Sequence, residues 1–553
     1  MHGLRHTRFT MHPCLIVDEI LRLLACELVA SRARATAVAL ASCCRSFEDL
    51  VLDALWETQT QLTPLLKCFP QDVWKEEDGS FVSQLMSFIF CVRNHLIRKC
   101  FKRIPTKGEW TDFRKHARRM RKLALYTSGG SVTPDILFAL QLRITGEPFL
   151  PRLKTFECEE ATEAFIPFIP LFLSRKTLWI KIGFAEDSST VMVASMIARL
   201  STLCPDLESI TLNDLPRDPA VTEAVSEMLI ACNQDTLRWF CVDSPLTEEA
   251  QEVVFQLPKL SELWTVVQGR TLLPPVTLPN LTLIDLEYED HLDWLQGFRV
   301  MALGKLEEVL FSSQSERTED LLGAFESAVQ TTSIPATLLT FRFTSSCSWR
   351  PEYRSLLPFT QLKDLMIEFS CDDDCSSRVD DDIITDLVQA MPKLELLKLG
   401  GPPCKTPRGV TAKGLIALAC GCRHLSDLRI HFQTASLVQV ATNPETQPPS
   451  EGKTAVRRQD CALRDLDVGE IPIPEGTELI VTMALLQIFP NLLNVTFAGE
   501  WWRGVAENIT HFKRIGTFVH NASEVHPLPL YPFSDVPPVD TLTIGGPREV
   551  DRG

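Results

Sequence analysis

The chain has 553 residues, which is too long for one ordinary hydrophobic core and indicates several domains or a repeat array. Hydrophobic residues make up 45% and charged residues 23%, as in a folded protein. The net charge of −16 argues against general nucleic-acid binding, which needs many contacts between basic side chains and phosphates.

The 18 cysteines form no C-x-x-C motif, so the common zinc and redox spacings are missing from the sequence. Several of them, such as Cys26, Cys43 and Cys241, fall at apolar positions of helical or strand patterns, where we expect small buried hydrophobes. We therefore expect free thiols in a reducing compartment, the cytosol or the nucleus.

Two apolar stretches bear on membrane association. The beginning of the chain carries Asp18, Glu19 and Arg22 among its apolar residues, so we expect no signal peptide. The window Phe81–Val92 spans about 12 residues, whereas a bilayer span needs roughly 20. We expect a buried helix there and no membrane partner.

Residues 11–57 have the pattern of a small helical module. The apolar residues of its first helix recur close to 3, 4 and 7 positions apart, and Asp18 and Glu19 fall in the first turn, where negative charge is favourable. A second helix starts near Val38 and a third near Phe47. About 45 residues bury too little apolar surface alone, so the module favours a partner-binding role. The apolar face of the first helix consists of Ile16, Ile20, Leu23, Leu24 and Leu28.

Residues 58–119 read as a helical linker. Thr106 and Glu109 form a capping box at the start of a helix whose apolar face includes Trp110 and Phe113. The surrounding stretch Arg98–Lys122 is strongly basic. A nuclear import signal or a patch for an acidic partner would explain that charge, but the solvated face of the helix is the favoured interpretation.

Residues 120–545 are periodic. Each unit has a leucine followed by x-x-apolar-x-apolar, which predicts a short strand with one buried face and a helix or loop returning behind it. Such units bury their apolar faces only by stacking, so the pattern predicts an irregular solenoid. The anchor leucines are Leu153, Leu178, Leu207, Leu237, Leu260, Leu281, Leu306, Leu338, Leu362, Leu394, Leu425, Leu463 and Leu492.

Three features of this periodic region have alternative explanations. The acidic set Cys371–Cys375 with Asp380–Asp382 could hold a cation, but it lacks the turn glycine of metal loops and better fits a solvated loop before a helix. Trp501–Trp502 could form a ligand platform, although packing as core or cap is favoured. We expect a mobile loop at Asn443–Arg458 and an irregular cap from Pro527 onward.

The helical module resembles the F-box family, especially the F-box-like domains of fungal proteins. Ile16–Ile20 is similar to its opening Leu-Pro-x-Glu-Ile, Cys43–Phe47 to its Val-Cys-Arg-x-Trp segment, and Leu55–Trp56 to its closing Leu-Trp. Val17 stands where the family has proline, and Phe47 where it has tryptophan. An F-box followed by leucine-rich repeats is a known arrangement, so the resemblance implies an α/β fold with an F-box-like module and a leucine-rich-repeat horseshoe.

The resemblance implies the substrate receptor of an SCF-type ubiquitin ligase, which docks on a Skp-type adaptor and works with cullin machinery. The expected adaptor-binding residues are Ile16, Val17, Ile20, Leu23, Leu24, Leu28, Cys44, Phe47, Leu55 and Trp56. The outward strand positions would hold a basic or mixed target protein, with Trp264, Arg342, Met366, Lys398 and Arg429 as candidate contacts.

Two other functions compete with this interpretation. The chain could be a leucine-rich-repeat scaffold with a degenerate F-box, for which Val17 in place of proline is the best support. It could also be an enzyme, but no phosphate-binding loop, H-E-x-x-H or G-x-S-x-G motif supports that. We expect no catalytic residues, no metal, no cofactor and no nucleic-acid partner.

Overall fold

A computed structural model describes residues 17–43, 45–78, 97–103, 105–126, 134–143, 148–267, 278–288, 305–313, 338–345, 353–369, 379–400, 409–442, 461–469, 471–497 and 500–523. These residues form an α/β structure built on a 15-stranded parallel sheet. None of the helices in these ranges is long and apolar enough to cross a bilayer.

The N-terminal module consists of three helices around a small core of its own. The helices are α1 (Asp18–Ala30), α2 (Arg34–Cys43) and α3 (Arg45–Glu57). Leu21 and Ala25 of α1 pack with Phe47 and Val51 of α3, and Ala37 of α2 closes the cluster. The expected three-helix module is thus present, although α2 begins four residues before Val38.

The strands of the large sheet follow one another in chain order, each pairing in parallel with the next. They are β1 (Thr58–Gln59), β4 (Lys122–Tyr126), β5 (Thr155–Ala161), β6 (Trp179–Phe184), β7 (Ser209–Asn213), β8 (Trp239–Pro245), β9 (Glu262–Val267), β10 (Leu283–Tyr288), β11 (Glu308–Ser313), β12 (Thr340–Ser345), β13 (Asp364–Phe369), β14 (Leu396–Leu399), β15 (Asp427–Ile430), β16 (Asp465–Gly469) and β17 (Asn494–Phe497). A separate antiparallel pair joins β2 (Trp74–Asp78) to β3 (Ile97–Phe101).

The alternation in the sequence fixes which side of the sheet is buried. Partners across the strands are in register, so apolar residues of neighbouring strands form one row on the buried side of the sheet. The row runs from Leu123 and Phe156 to Leu428 and Leu466. The residues on either side of this row in each strand point to the opposite face. We call that face the open face.

The predicted anchor leucines lie two residues before each strand and are buried, with one exception. Before β6 the anchor position is taken by Thr177, which is fully buried, while Leu178 is only partly buried. The Thr177 hydroxyl donates to the Leu153 carbonyl at 3.4 Å and accepts from the Ser174 amide at 3.2 Å. These bonds satisfy a polar group in an apolar position.

Helices cover the buried side of the sheet. They are α4 (Thr63–Leu66), α5 (Lys107–Ala117), α6 (Pro134–Arg143), α7 (Ile169–Phe172), α8 (Thr190–Ala198), α9 (Leu200–Leu203), α10 (Pro219–Ala231), α11 (Glu248–Val254), α12 (Asp381–Ala390), α13 (Ala412–Gly421), α14 (Thr434–Thr442), α15 (Glu478–Ile488) and α16 (Arg503–Ser523). Single 3-10 turns occur at Ile166–Phe168, Tyr353–Leu356 and Glu500–Trp502. The return expected behind each strand is a helix in several repeats, as at α8 with α9, at α10 and at α12.

Where we expected a helical linker at 58–119, the described part of that segment contains strands as well as helices. The segment contains β1, which pairs with β4, and both strands of the β2–β3 pair. The capping box of α5 is present, and Trp110 and Phe113 of its apolar face belong to the same core as the repeats. This segment therefore forms the first layer of the repeat region. The window Phe81–Val92 lies outside the described residues.

The module is fixed to the repeat region by polar and aromatic contacts. The Arg119 guanidinium, largely buried, bonds to Asp53 and reaches the Asp49 carboxylate at 2.6 Å. Trp56 packs on the His116 ring, with 4.7 Å between ring centroids. Because α3 also leads directly into β1, the module and the sheet are joined by covalent, ionic and apolar contacts.

The competing explanations for three sequence features are now distinguishable in part. At this end of the acidic set, Asp380 caps α12, because its carboxylate accepts a hydrogen bond from the Ile383 amide at 2.9 Å. Cys371–Cys375 lies outside the described residues. Trp502 is fully buried and its Nε1 donates to the Ile471 carbonyl at 2.7 Å, whereas Trp501 is 59% exposed. The helix α16 packs against the end of the sheet that contains Trp502. Residues 443–458 and those from 527 onward are outside the described part.

The cysteine expectation was wrong for Cys26 and Cys43, which are exposed on the module, and Cys241 is half-buried on the open face. Other thiols are deeply buried. Burial raises the pKa of Cys158 and of Cys232 to about 12, which keeps both protonated and unreactive.

Candidate protein-binding surfaces

The first candidate surface is an apolar patch on the N-terminal module. Within α1, Leu21 and Ala25 point into the module core, so the other apolar side of the helix faces solvent. A helix that is apolar on both sides leaves one stripe without a partner. The five large apolar side chains of this stripe and of α2 are between 39% and 70% exposed, and we call them the module face: Val17, Ile20, Leu23, Leu24 and Val38.

The remaining residues expected to bind an adaptor lie elsewhere. Phe47 is only 6% exposed and belongs to the module core. Leu28 and Leu55 are half-buried against that core, and Trp56 lies in the joint with the repeat region. Leu28, Phe47 and Trp56 thus support the module, whereas Leu55 also lines a groove on its surface. Ile16 and Cys44 lie outside the described residues.

A groove runs between α2 and α3 on the same module. It encloses about 430 Å³, and its walls include Val38, Ala41, Leu52 and Leu55. Exposed polar groups of Ser42, Cys43 and Glu48 form its rim. Apolar walls with a polar rim are the usual composition of a protein-binding surface. Val38 belongs both to this groove and to the module face.

The second candidate surface is a row of side chains across the open face. Every one of the five expected target contacts lies in this row, which we call the central row. Neighbouring members are about 5 Å apart, the spacing of strands in a sheet. In order across the sheet the central row contains Cys241, Trp264, Asp285, Leu310, Arg342, Met366, Lys398, Arg429 and Asp467.

Ion pairs hold two of the three cations in the central row. Arg429 contacts Glu368 at 2.8 Å and Asp467 at 3.5 Å, and Arg342 lies 3.5 Å from a carboxylate oxygen of Asp364. No ion pair of Lys398 occurs within the described part of the chain. Lys398 is therefore the cation best placed to meet an incoming carboxylate.

Asp285 is the anionic counterpart of Lys398 in the central row. It lies between Trp264 and Leu310, and burial, together with the nearby Glu287, raises its pKa to about 6. Glu287 itself pairs with Arg217 at 3.6 Å. A carboxylate held against apolar neighbours gains most from a cation that a partner supplies. The central row thus offers an anionic position and a cationic one on the same face.

Two tryptophans of the open face were missed by sequence reasoning. Trp179 of β6 and Trp239 of β8 flank Ser209 of β7, and their rings meet edge to face at 4.3 Å between centroids. Ser209 is buried between them. The signal was available for Trp239, which occupies the first outward position after the anchor Leu237. For Trp179, the wrong choice of Leu178 as anchor shifted the pattern by one residue.

The described residues contain no group of three histidine, cysteine or acidic side chains arranged to hold a metal ion. Asp381, a candidate ligand, instead accepts from the Thr411 amide at 2.8 Å and the Gly414 amide at 3.0 Å, linking α12 to α13. What the geometry provides is apolar and ionic contact area.

No protein-family model matches the chain, and no curated protein matches its sequence significantly.

Proposed function

We propose that the protein is the substrate receptor of an SCF-type ubiquitin ligase. In this proposal the module face docks on a Skp-type adaptor, and the central row holds a target protein. The chain contributes proximity, because holding target and transfer machinery together raises their effective concentration. Cullin and the ubiquitin-transfer subunits supply the chemistry, and the protein works in the cytosol or the nucleus.

The observation that carries the proposal is the module face on a firmly attached module. Five large apolar side chains lie open to water there, although Leu21 and Ala25 of the same module are well buried. Burying a leucine fully is worth about 1.5–3 kcal/mol, so a partner covering Leu23 and Leu24 would gain about 2–3 kcal/mol from these two residues at their present exposure. That gain corresponds to roughly 30- to 150-fold in affinity.

The joint between the module and the sheet supports a role in positioning. Arg119 bridges Asp49 and Asp53 of α3, and the Arg121 amide donates to the Glu57 carbonyl at 2.9 Å. A rigid joint holds a target on the open face at a fixed place relative to an adaptor on the module. A receptor for ubiquitin transfer needs that fixed geometry.

The test uses the purified full-length chain and a purified Skp-type adaptor. We expect the wild-type chain to bind the adaptor, and the double variant Leu23→Asp with Leu24→Asp to lose at least about 30-fold in affinity by calorimetry. The control is Val191→Asp, at an apolar side chain that is 72% exposed on α8 of the repeat region. It should leave affinity unchanged. Point variants are preferable to removing the module, because removal also destroys the joint.

The alternative is a scaffold whose module no longer binds an adaptor. Val17, where the F-box pattern has proline, precedes α1 with an extended backbone (φ −86°, ψ 112°) and caps it without a side-chain hydrogen bond. Wild-type chain that fails to bind the adaptor, but still retains other proteins through the open face, would favour the scaffold. Equal adaptor binding by the double variant and the control would remove the module face from the proposal.

A further inference from the structure

A basic groove lies at the edge of the sheet where the first repeat strands begin. This open groove has a volume of about 490 Å³ and is lined by five cations, one leucine and one aspartate. Arg121 and Lys154 immediately precede β4 and β5, and the Lys154 amide donates to the Arg121 carbonyl at 2.7 Å. These positions repeat at the strand spacing of about 5 Å. The lining residues are Arg121, Arg152, Lys154, Arg175, Lys176, Leu178 and Asp206.

Four of the five cations have no acidic partner within the described residues. Arg121 alone has one, Glu57, at the long distance of 3.9 Å. Cations of the same strands that point to the open face are paired, as Lys122 is with Glu157 at 2.6 Å and Lys181 with Glu159 at 3.5 Å. The unpaired cations of the groove are Arg152, Lys154, Arg175 and Lys176.

This concentration of positive charge is unusual for the chain. Acidic residues outnumber basic ones by 71 to 55, yet the groove contains a single acid. That acid, Asp206, accepts a hydrogen bond from the side-chain amide of Asn233 (Nδ2) at 3.2 Å. Five like charges around one open groove repel each other, and an anionic ligand would relieve that repulsion.

We propose that the groove binds a carboxylate-rich segment of a partner protein. An extended peptide fits because the cations lie along the beginnings of successive strands, from one repeat to the next, and do not surround a compact cavity. A nucleic acid fits less well, because it would bring a long run of phosphates against a chain of net charge −16. The groove is separate from the module face and the central row, so this proposal does not rest on adaptor docking.

The test measures binding of fluorescein-labelled 12-residue peptides to the full-length chain by anisotropy. We use an alternating Glu-Ser peptide, its Gln-Ser counterpart, and a single-stranded DNA of equal charge. We expect the Glu-Ser peptide to bind most tightly, and its affinity to fall as NaCl rises from about 50 to about 200 mM, because salt screens exposed charges. Tighter binding of the DNA, or equal binding of the Gln-Ser peptide, would overturn the proposal.

A matched pair of variants locates the site. Lys154→Glu with Lys176→Glu reverses two exposed cations of the groove and should weaken Glu-Ser binding about tenfold. Lys363→Glu is the control, because Lys363 precedes β13 as Lys154 precedes β5 but is paired with Glu395 at 2.9 Å. It should change affinity less than about twofold. Unchanged binding by the double variant, with native circular dichroism, would place the peptide elsewhere and refute the assignment.

Discussion

Replacing Gly421 by alanine tests how closely two neighbouring return helices pack. Gly421 is the last residue of α13, and a Cβ at this position would lie 1.9 Å from Cγ1 of Val388 in α12. Val388 is buried, and a β-branched side chain in a helix has one strongly preferred rotamer. The clash is therefore not relieved by a small rotation, and α12 and α13 must separate.

The expected cost follows from two opposing effects. Overpacking a core usually costs about 1–3 kcal/mol, while alanine is favoured over glycine in a helix by up to about 1 kcal/mol. Gly421→Ala should therefore lower the free energy of unfolding by about 1–2 kcal/mol. Val388→Ala alone should cost about 1.6 kcal/mol, because it removes two buried carbon atoms. In the double variant the new methyl group takes the vacated space, so we expect a favourable coupling of at least about 1 kcal/mol.

Urea titration gives the free energies, and native-state hydrogen exchange reports the opening of this helix pair. The Cys422 amide, which donates to the Leu418 carbonyl at 2.9 Å, is a suitable probe. Gly108→Ala in α5 is the control, since its added Cβ would lie more than 4 Å from every heavy atom apart from its chain neighbours and its own helix backbone. It should be neutral or stabilising. Strictly additive costs for the Gly421 and Val388 substitutions would refute the close packing.

Substitutions at three other places in the chain have defined outcomes. The pKa of Asp285 is raised to about 6 from an ordinary 3.8, so between these pH values the folded chain keeps a proton that the unfolded chain releases. Stability should therefore fall as pH rises from about 4 to about 6. Asp285→Asn should flatten that part of the melting temperature–pH profile. Asp381→Ala should cost about 1–3 kcal/mol in urea titrations, because it leaves partly buried backbone donors between α12 and α13 unpaired. The exposed neighbour is the control, and Asp382→Ala should cost less than about 0.5 kcal/mol. Trp502→Ala should cost about 3–5 kcal/mol and Trp501→Ala less than about 0.5 kcal/mol, and the iodide-quenchable part of the fluorescence should fall in the Trp501 variant but not in the Trp502 variant.

The periodic part of the fold was predictable because it depends on local pattern. Alternation of apolar residues after an anchor leucine determines which side of each strand is buried, and strand order follows chain order. The exception at Thr177 was not predictable, because its burial depends on the Leu153 carbonyl of the preceding repeat. A pattern that searches for leucine selects the adjacent Leu178 instead.

The candidate surfaces were predictable to different degrees. Trp264 and Lys398 were placed correctly on the outward side, because alternation alone decides it. On α1, apolar residues occur on both sides of the helix, so spacing could not decide that Leu21 would be buried and Leu23 exposed. The choice depends on the packing of α3. Residues 58–59 have no strand pattern of their own, and their pairing with β4 is a tertiary contact.

The two residues of β1 have a protective consequence for the whole sheet. A parallel sheet ends in strands whose free backbone groups can recruit another chain, and long flat edges promote aggregation. Here the edge at β4 is covered by Thr58 and Gln59, a strand too short to serve as a template, and α3 blocks its extension. Removing residues 1–59 would uncover the five residues of β4, so we expect such a fragment to self-associate even though β4 and the later strands of the sheet remain.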